Sequence, residues 1–125
     1  MTDRQLIIVA ALTMLIGVAA GAFGAHALKR VVTPDTLAVW HTAVLYQLVH
    51  GLGLLMIASL GARFGSPLLG NAGWLMFAGI VIFSGSLYLL VLTGAKWLGA
   101  ITPIGGLAFI AAWAMVALAA YRAKP

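Results

Sequence analysis

The sequence predicts an all-α fold: a polytopic membrane protein whose four transmembrane helices, joined by short loops, form a single domain over residues 1–125. Three observations predict it. Hydrophobic residues make up 64% of the chain and charged residues only 7%, against roughly a quarter charged in an ordinary soluble domain. The apolar residues fall into four runs, each near the ~20 residues that a helix needs to cross the hydrocarbon core. The basic residues stand at the ends of those runs, where juxtamembrane charges belong. A soluble chain this short could not hide so much apolar surface, because small domains leave a large share of their surface wet.

The first span is expected over about residues 5–28, opened by Thr2 and Gln5 at capping-box spacing and closed by Lys29-Arg30. Its short charged start and the small residues Ala20-Gly21-Ala22 resemble a secretory signal. The apolar run is long for such a signal, so a retained helix is expected. The second span, about 36–61, starts at Thr33-Pro34-Asp35: an N-cap, a proline at the first helical position and an acid at the positive dipole end. Arg63 to Pro67 reads as the following turn. Asn71 is the expected cap of the third span, about 72–93, which stops at Gly94. The fourth, about 98–121, carries Thr102-Pro103 near its start, so it either begins at Pro103 or begins near Trp97 and kinks.

Seven Lys and Arg against two acids give a net charge of +5, yet the basic residues never cluster beyond Lys29-Arg30, so nucleic acid is not an expected partner. With four spans both termini share one side, carrying Arg4, Arg63, Arg122 and Lys124 against Lys29, Arg30 and Lys96 opposite. The positive-inside rule turns that excess into cytoplasmic termini. Trp74 and Tyr121 on one side, with Trp40 and Trp97 on the other, mark the two interfaces.

A rise of about 1.5 Å per residue places His50 roughly 15 Å below Trp40, near the bilayer centre. Ser84 shares that level. Tyr46, Tyr88 and Thr102 form a shallower layer, with His26 at the interface. The opposite half holds only Thr13 and Ser59 besides tryptophan indoles. The bundle is therefore expected to be polar inside on the loop side and dry toward its termini. The candidate polar cluster comprises His26, Tyr46, Gln47, His50, Ser84, Ser86, Tyr88 and Thr102. Gly17, Gly21, Gly24, Gly85, Gly105 and Gly106 are expected to let helices approach closely, Gly17 and Gly21 having the small-xxx-small spacing.

Two readings stand for His50. A histidine in hydrocarbon is costly and often functional; a neutral imidazole also needs only one donor and one acceptor, which Ser84, Tyr46 or Tyr88 could supply. No acid lies within a span, so no carboxylate relay or general base is expected. Asp3 and Asp35 stand at helix starts, where capping accounts for them. The histidines are separated by helix and face, cysteine is absent, and no phosphate loop or nucleophile elbow appears. Neither a catalytic residue, a metal site nor a cofactor is expected.

The strings Gly21-Ala22-Phe23-Gly24-Ala25-His26, Tyr46-Gln47-x-x-His50, Phe83-Ser84-Gly85-Ser86-Leu87-Tyr88 and Leu98-Gly99-Ala100-Ile101-Thr102-Pro103-Ile104-Gly105-Gly106 occur in this order. Together they resemble the family called domain of unknown function 423, or transmembrane protein 256-like, across essentially the whole chain. The resemblance implies a four-span protein of the bacterial inner membrane, and it implies no established activity. Two roles follow as expectations. One is a structural or accessory subunit, in contact with lipids and associating with itself or a larger membrane complex; the other is a binding or transport-like module built on the polar cluster. A membrane enzyme is the least supported.

Overall fold

The computed structural model describes residues 3–124 as helices α1 (Asp3–His26), α2 (Pro34–Phe64), α3 (Pro67–Thr93) and α4 (Thr102–Arg122). Short 3₁₀ turns, Leu28–Arg30 and Lys96–Ala100, precede α2 and α4. No strand occurs among the described residues. All four helices are long and apolar enough to cross a membrane. The capping box expected at Thr2 and Gln5 rests on Thr2, which lies outside the described residues.

Local chemistry sets the ends. Thr33 is extended and its hydroxyl accepts the Thr36 amide, 3.2 Å away, with Pro34 following at the first turn. The connection after α2 is shorter than expected, and Asn71 caps nothing: it lies within α3. Gly65 takes φ +57°, closes α2 by donating its amide to the Gly61 carbonyl, and leaves Ser66 extended. Ser66 then accepts the Leu68 amide and Pro67 starts α3. A left-handed glycine followed by a capping serine and a proline reverses the chain in two residues. Gly94, at φ +72°, ends α3 the same way.

The chain before Pro103 is neither open loop nor kinked α-helix. It is the 3₁₀ turn, after which α4 begins at Thr102. Pro103 has no amide to give the Gly99 carbonyl, and its ring would strike that carbonyl in a continuous helix.

Helices adjacent in sequence pack together: α2 and α3 form the central pair, with α1 against α2 and α4 against α3. No comparable interface joins α1 to α4. Large apolar side chains of the two flanking helices, including Ile8, Leu12 and Leu15 on α1 and Leu107 and Ile110 on α4, face outward. The terminal side holds a dry block that includes Leu6, Ala10, Leu54, Ile57, Leu69 and Met76. A smaller cluster of Leu28, Trp40, Val44 and Val91 fills the loop side.

Trp40 is not an interfacial anchor. It is 6% exposed, tilted against Tyr88 and Phe23 at centroid distances of 4.6 and 5.7 Å. Its indole N–H donates to the Ala20 carbonyl at 2.9 Å. Trp74, Trp97 and Tyr121 do stand outward.

Candidate functional site: an intramembrane polar network

The predicted polar residues do not form one cluster; α2 distributes them to two sides. Gln47 turns toward α1 and α3. Its Nε2 donates to the Thr13 carbonyl at 2.9 Å, and its Oε1 accepts the Tyr88 hydroxyl at 2.5 Å. One buried amide thus ties three helices with both ends engaged, the condition under which a buried polar group is tolerated. Beside it, the Ser84 hydroxyl donates to the Ala43 carbonyl at 2.7 Å. These residues floor a crevice of about 300 Å³ between α1 and α3, walled by Ile16, Phe77, Ile80 and Val81.

His50 turns the other way. It is 5% exposed and lies flat on Phe109, with centroids 3.6 Å apart and planes 11° apart. Trp113 is tilted against it at 5.9 Å. Its Nδ1 donates to the Tyr46 carbonyl one turn back, at 2.8 Å; a carbonyl only accepts, so the proton sits on Nδ1. None of the side-chain hydroxyls of Ser84, Tyr46 and Tyr88 partners the ring. Tyr46 packs its own ring on Phe83 at 4.4 Å, and the residue is 39% exposed.

A third, separate pair joins α3 to α4. The Ser86 and Thr102 hydroxyls lie 2.6 Å apart, and each reaches a carbonyl of its own segment, Phe83 and Leu98. His26 joins none of these groups: it is exposed at the end of α1, because the helix ends there and turns the ring out. No group of three or more metal-ligating side chains occurs among the described residues.

Glycines decide where the network can form. In a helix the carbonyl of residue i lies next to the side chain of residue i+4. Gln47 reaches the Thr13 carbonyl beside Gly17, where a Cβ would come within 2.8 Å of Leu48 and 3.4 Å of Gln47. Trp40 reaches the Ala20 carbonyl beside Gly24, where a Cβ would lie 2.8 Å from the indole nitrogen. Gly21 receives Val44 at 3.3 Å. At the other seam a Cβ on Gly105 would meet the Phe83 backbone nitrogen at 2.5 Å.

Two expected packing glycines are corrected. A Cβ on Gly85 would have nothing within 4 Å, because that position borders the open crevice between α1 and α3; one on Gly106 would make only ordinary contact with the Phe83 ring. Gly51, Gly53 and Gly79 are packing positions that sequence reasoning missed, receiving Met14, Met76 and Phe109 respectively. Phe109 and Trp113, which build the wall of the His50 site, were missed too. Their only signal is aromatic residues at i, i+4 spacing on α4, and nothing local ties that face to His50.

The fold and network define a polytopic α-helical membrane protein whose buried polar side chains tie its helices to one another. The chain belongs to the family described as protein of unknown function (DUF423), whose model matches residues 20–106. It is 50% identical over 120 residues to the UPF0382 membrane protein YwdK of Bacillus subtilis (strain 168), covering 95% of this chain and 98% of that protein. It is 49% identical over 119 residues to the UPF0382 membrane protein SAB0533 of Staphylococcus aureus (strain bovine RF122 / ET3-1), covering 95% and 97%. No solved structure matches the chain.

Proposed function

We propose that this protein is a structural or accessory subunit of the bacterial inner membrane, associating with copies of itself or with a larger membrane complex. One observation carries the reading. Gln47, Tyr88, Ser84, Ser86 and Thr102 all find partners within the monomer, whereas α1 and α4 each pack on only one side. Most of what these helices leave uncovered is an apolar outer surface, and helices associate in lipid through such surfaces by close packing. The terminal half offers no polar lining for a continuous aqueous path.

Cross-linking in native membranes, followed by gentle detergent purification, tests this reading. We expect an oligomer or a co-purifying membrane protein; a strict monomer without a partner overturns it. The same reading places the termini in the cytoplasm. Arg63, Arg122 and Lys124 line a shallow basin of about 360 Å³ on that side, suited to the anionic inner leaflet. The chain has no cysteine, so single-cysteine variants report sidedness directly. Ser66→Cys is expected to resist an impermeant maleimide in intact cells, and Lys96→Cys to react; the reverse pattern inverts the topology.

A further inference from the structure

His50 Nε2 stands apart from the other buried polar groups. With the proton on Nδ1, donated to the Tyr46 carbonyl, Nε2 of the neutral ring is a pure acceptor. It has no protein partner, and no fully buried side-chain nitrogen or oxygen lacks one among the described residues. Nε2 therefore meets open space, although the residue as a whole is 95% buried (5% exposed). That space is a groove of about 290 Å³ lined by Leu45, Tyr46, Val49 and His50.

The surroundings define what the groove accepts. Its ring acceptor is held in one orientation by the flat contact with Phe109 and by the Nδ1 hydrogen bond. Leu45 and Val49 face outward, so the groove opens sideways into lipid. His50 lies near the middle of the 31-residue α2, at the depth of the acyl chains. Besides the neutral His50 ring, no acid, lysine or arginine lines the groove, so nothing there balances a charged ligand. A neutral hydrogen-bond donor on an apolar body satisfies every one of these conditions. The volume stands at the lower end of ligand pockets, about 300–1,000 Å³, which suits one ring or a short head with its tail left in the bilayer.

We propose that this groove binds a neutral, lipid-dissolved hydroxyl compound, its O–H donating to His50 Nε2. The hydroxyl comes from a phenolic head or from an aliphatic lipid alcohol. The site stands independently of subunit association, since it is complete within one chain.

The test uses the full chain in phosphatidylcholine nanodiscs with ¹⁵N-labelled histidine, titrated with 4-octylphenol, 1-dodecanol and the methyl ether 4-octylanisole. The free protein should show the proton on Nδ1. 4-Octylphenol, 1-dodecanol or both should move the Nε2 resonance saturably, while the ether leaves it in place. A response to the phenol alone assigns a phenolic head, and a response to the alcohol alone a lipid alcohol. Leu45→Trp, which fills the groove from outside the network, should weaken the response about tenfold, the value of one hydrogen bond. A diazirine-bearing octylphenol should label the segment around Leu45 and Val49, about tenfold less in His50→Phe, which keeps the stack on Phe109 and removes the acceptor. A proton found on Nε2 overturns the proposal. So does a resonance that no hydroxyl probe moves, an equal response to the ether, or labelling indifferent to both substitutions.

Discussion

The α1–α2 and α3–α4 seams are both lined with glycine, yet they use it for different purposes. Along α1 the glycines are hollows for side chains. Leu48 and Val44 enter at Gly17 and Gly21, Met14 of α1 reaches across to Gly51 of α2, and Trp40 enters at Gly24. Two of those hollows also open a backbone carbonyl to a hydrogen bond from α2. Between α3 and α4 the backbones themselves approach, with Gly105 against the Phe83 main chain and Gly79 against Phe109 and the Gly105 carbonyl. The first seam can yield by rotating a flexible side chain. The second cannot, because a main chain moves only if the helix moves. Lipid adds no hydrophobic drive between helices, so close packing and a few hydrogen bonds decide both seams.

The largest effect is expected where backbone meets backbone. Gly105→Ala should cost about 3 kcal/mol, the upper range for overpacking, measured as unfolding in a mild detergent against rising SDS. Gly85→Ala, with open space around it, is the matched control and should leave stability unchanged or slightly raised. If the two alanines behave alike, the tight α3–α4 seam is wrong.

Gln47→Leu probes the other seam. It removes both bonds to Gln47 and strands the Tyr88 hydroxyl, an expected cost of about 1–3 kcal/mol for a buried group left unpartnered. Adding Tyr88→Phe should recover part of that loss, since the hydroxyl then needs no partner. A double variant no better than Gln47→Leu would mean that the Tyr88–Gln47 bond contributes nothing. The smallest change is expected for Thr102→Val, about 0.6 kcal/mol, the average of interhelical hydrogen bonds in a membrane. Its two hydroxyl contacts lie at the α3–α4 seam, where close packing already holds the helices. A loss rivalling that of Gly105→Ala would reverse the ranking and make the hydroxyl pair the main tie.

Much of the fold was legible in the residues, because element ends are local chemistry. Thr33-Pro34 and Gly94 mark their boundaries through groups a few positions away. The same locality misled at Asn71: a capping residue type at a suitable spacing was available, and Gly65-Ser66-Pro67 did the job five residues earlier. The depth of the polar residues was readable only in part: Ser84, expected at the level of His50, hydrogen-bonds the Ala43 carbonyl about two turns away on α2. Their faces were still less so. Gln47 and His50 are three residues apart on one helix, and whether they meet the same neighbours depends on where α1, α3 and α4 are set around α2.

Residue types and their order are enough to put this protein in a bilayer as four helices. Hydropathy, rise per residue and capping are properties of short stretches of chain, so no fold is needed to read them. Helix packing decided that Gln47 is clamped between Thr13 and Tyr88 while His50 keeps one nitrogen free beneath a lipid-facing groove. It also decided which glycines matter: Gly105 and Gly85 have the same side chain, and differ only in whether another helix lies against them. Partner identity is a relation between segments distant in the chain. It is set when the helices pack, by shapes that no local window contains.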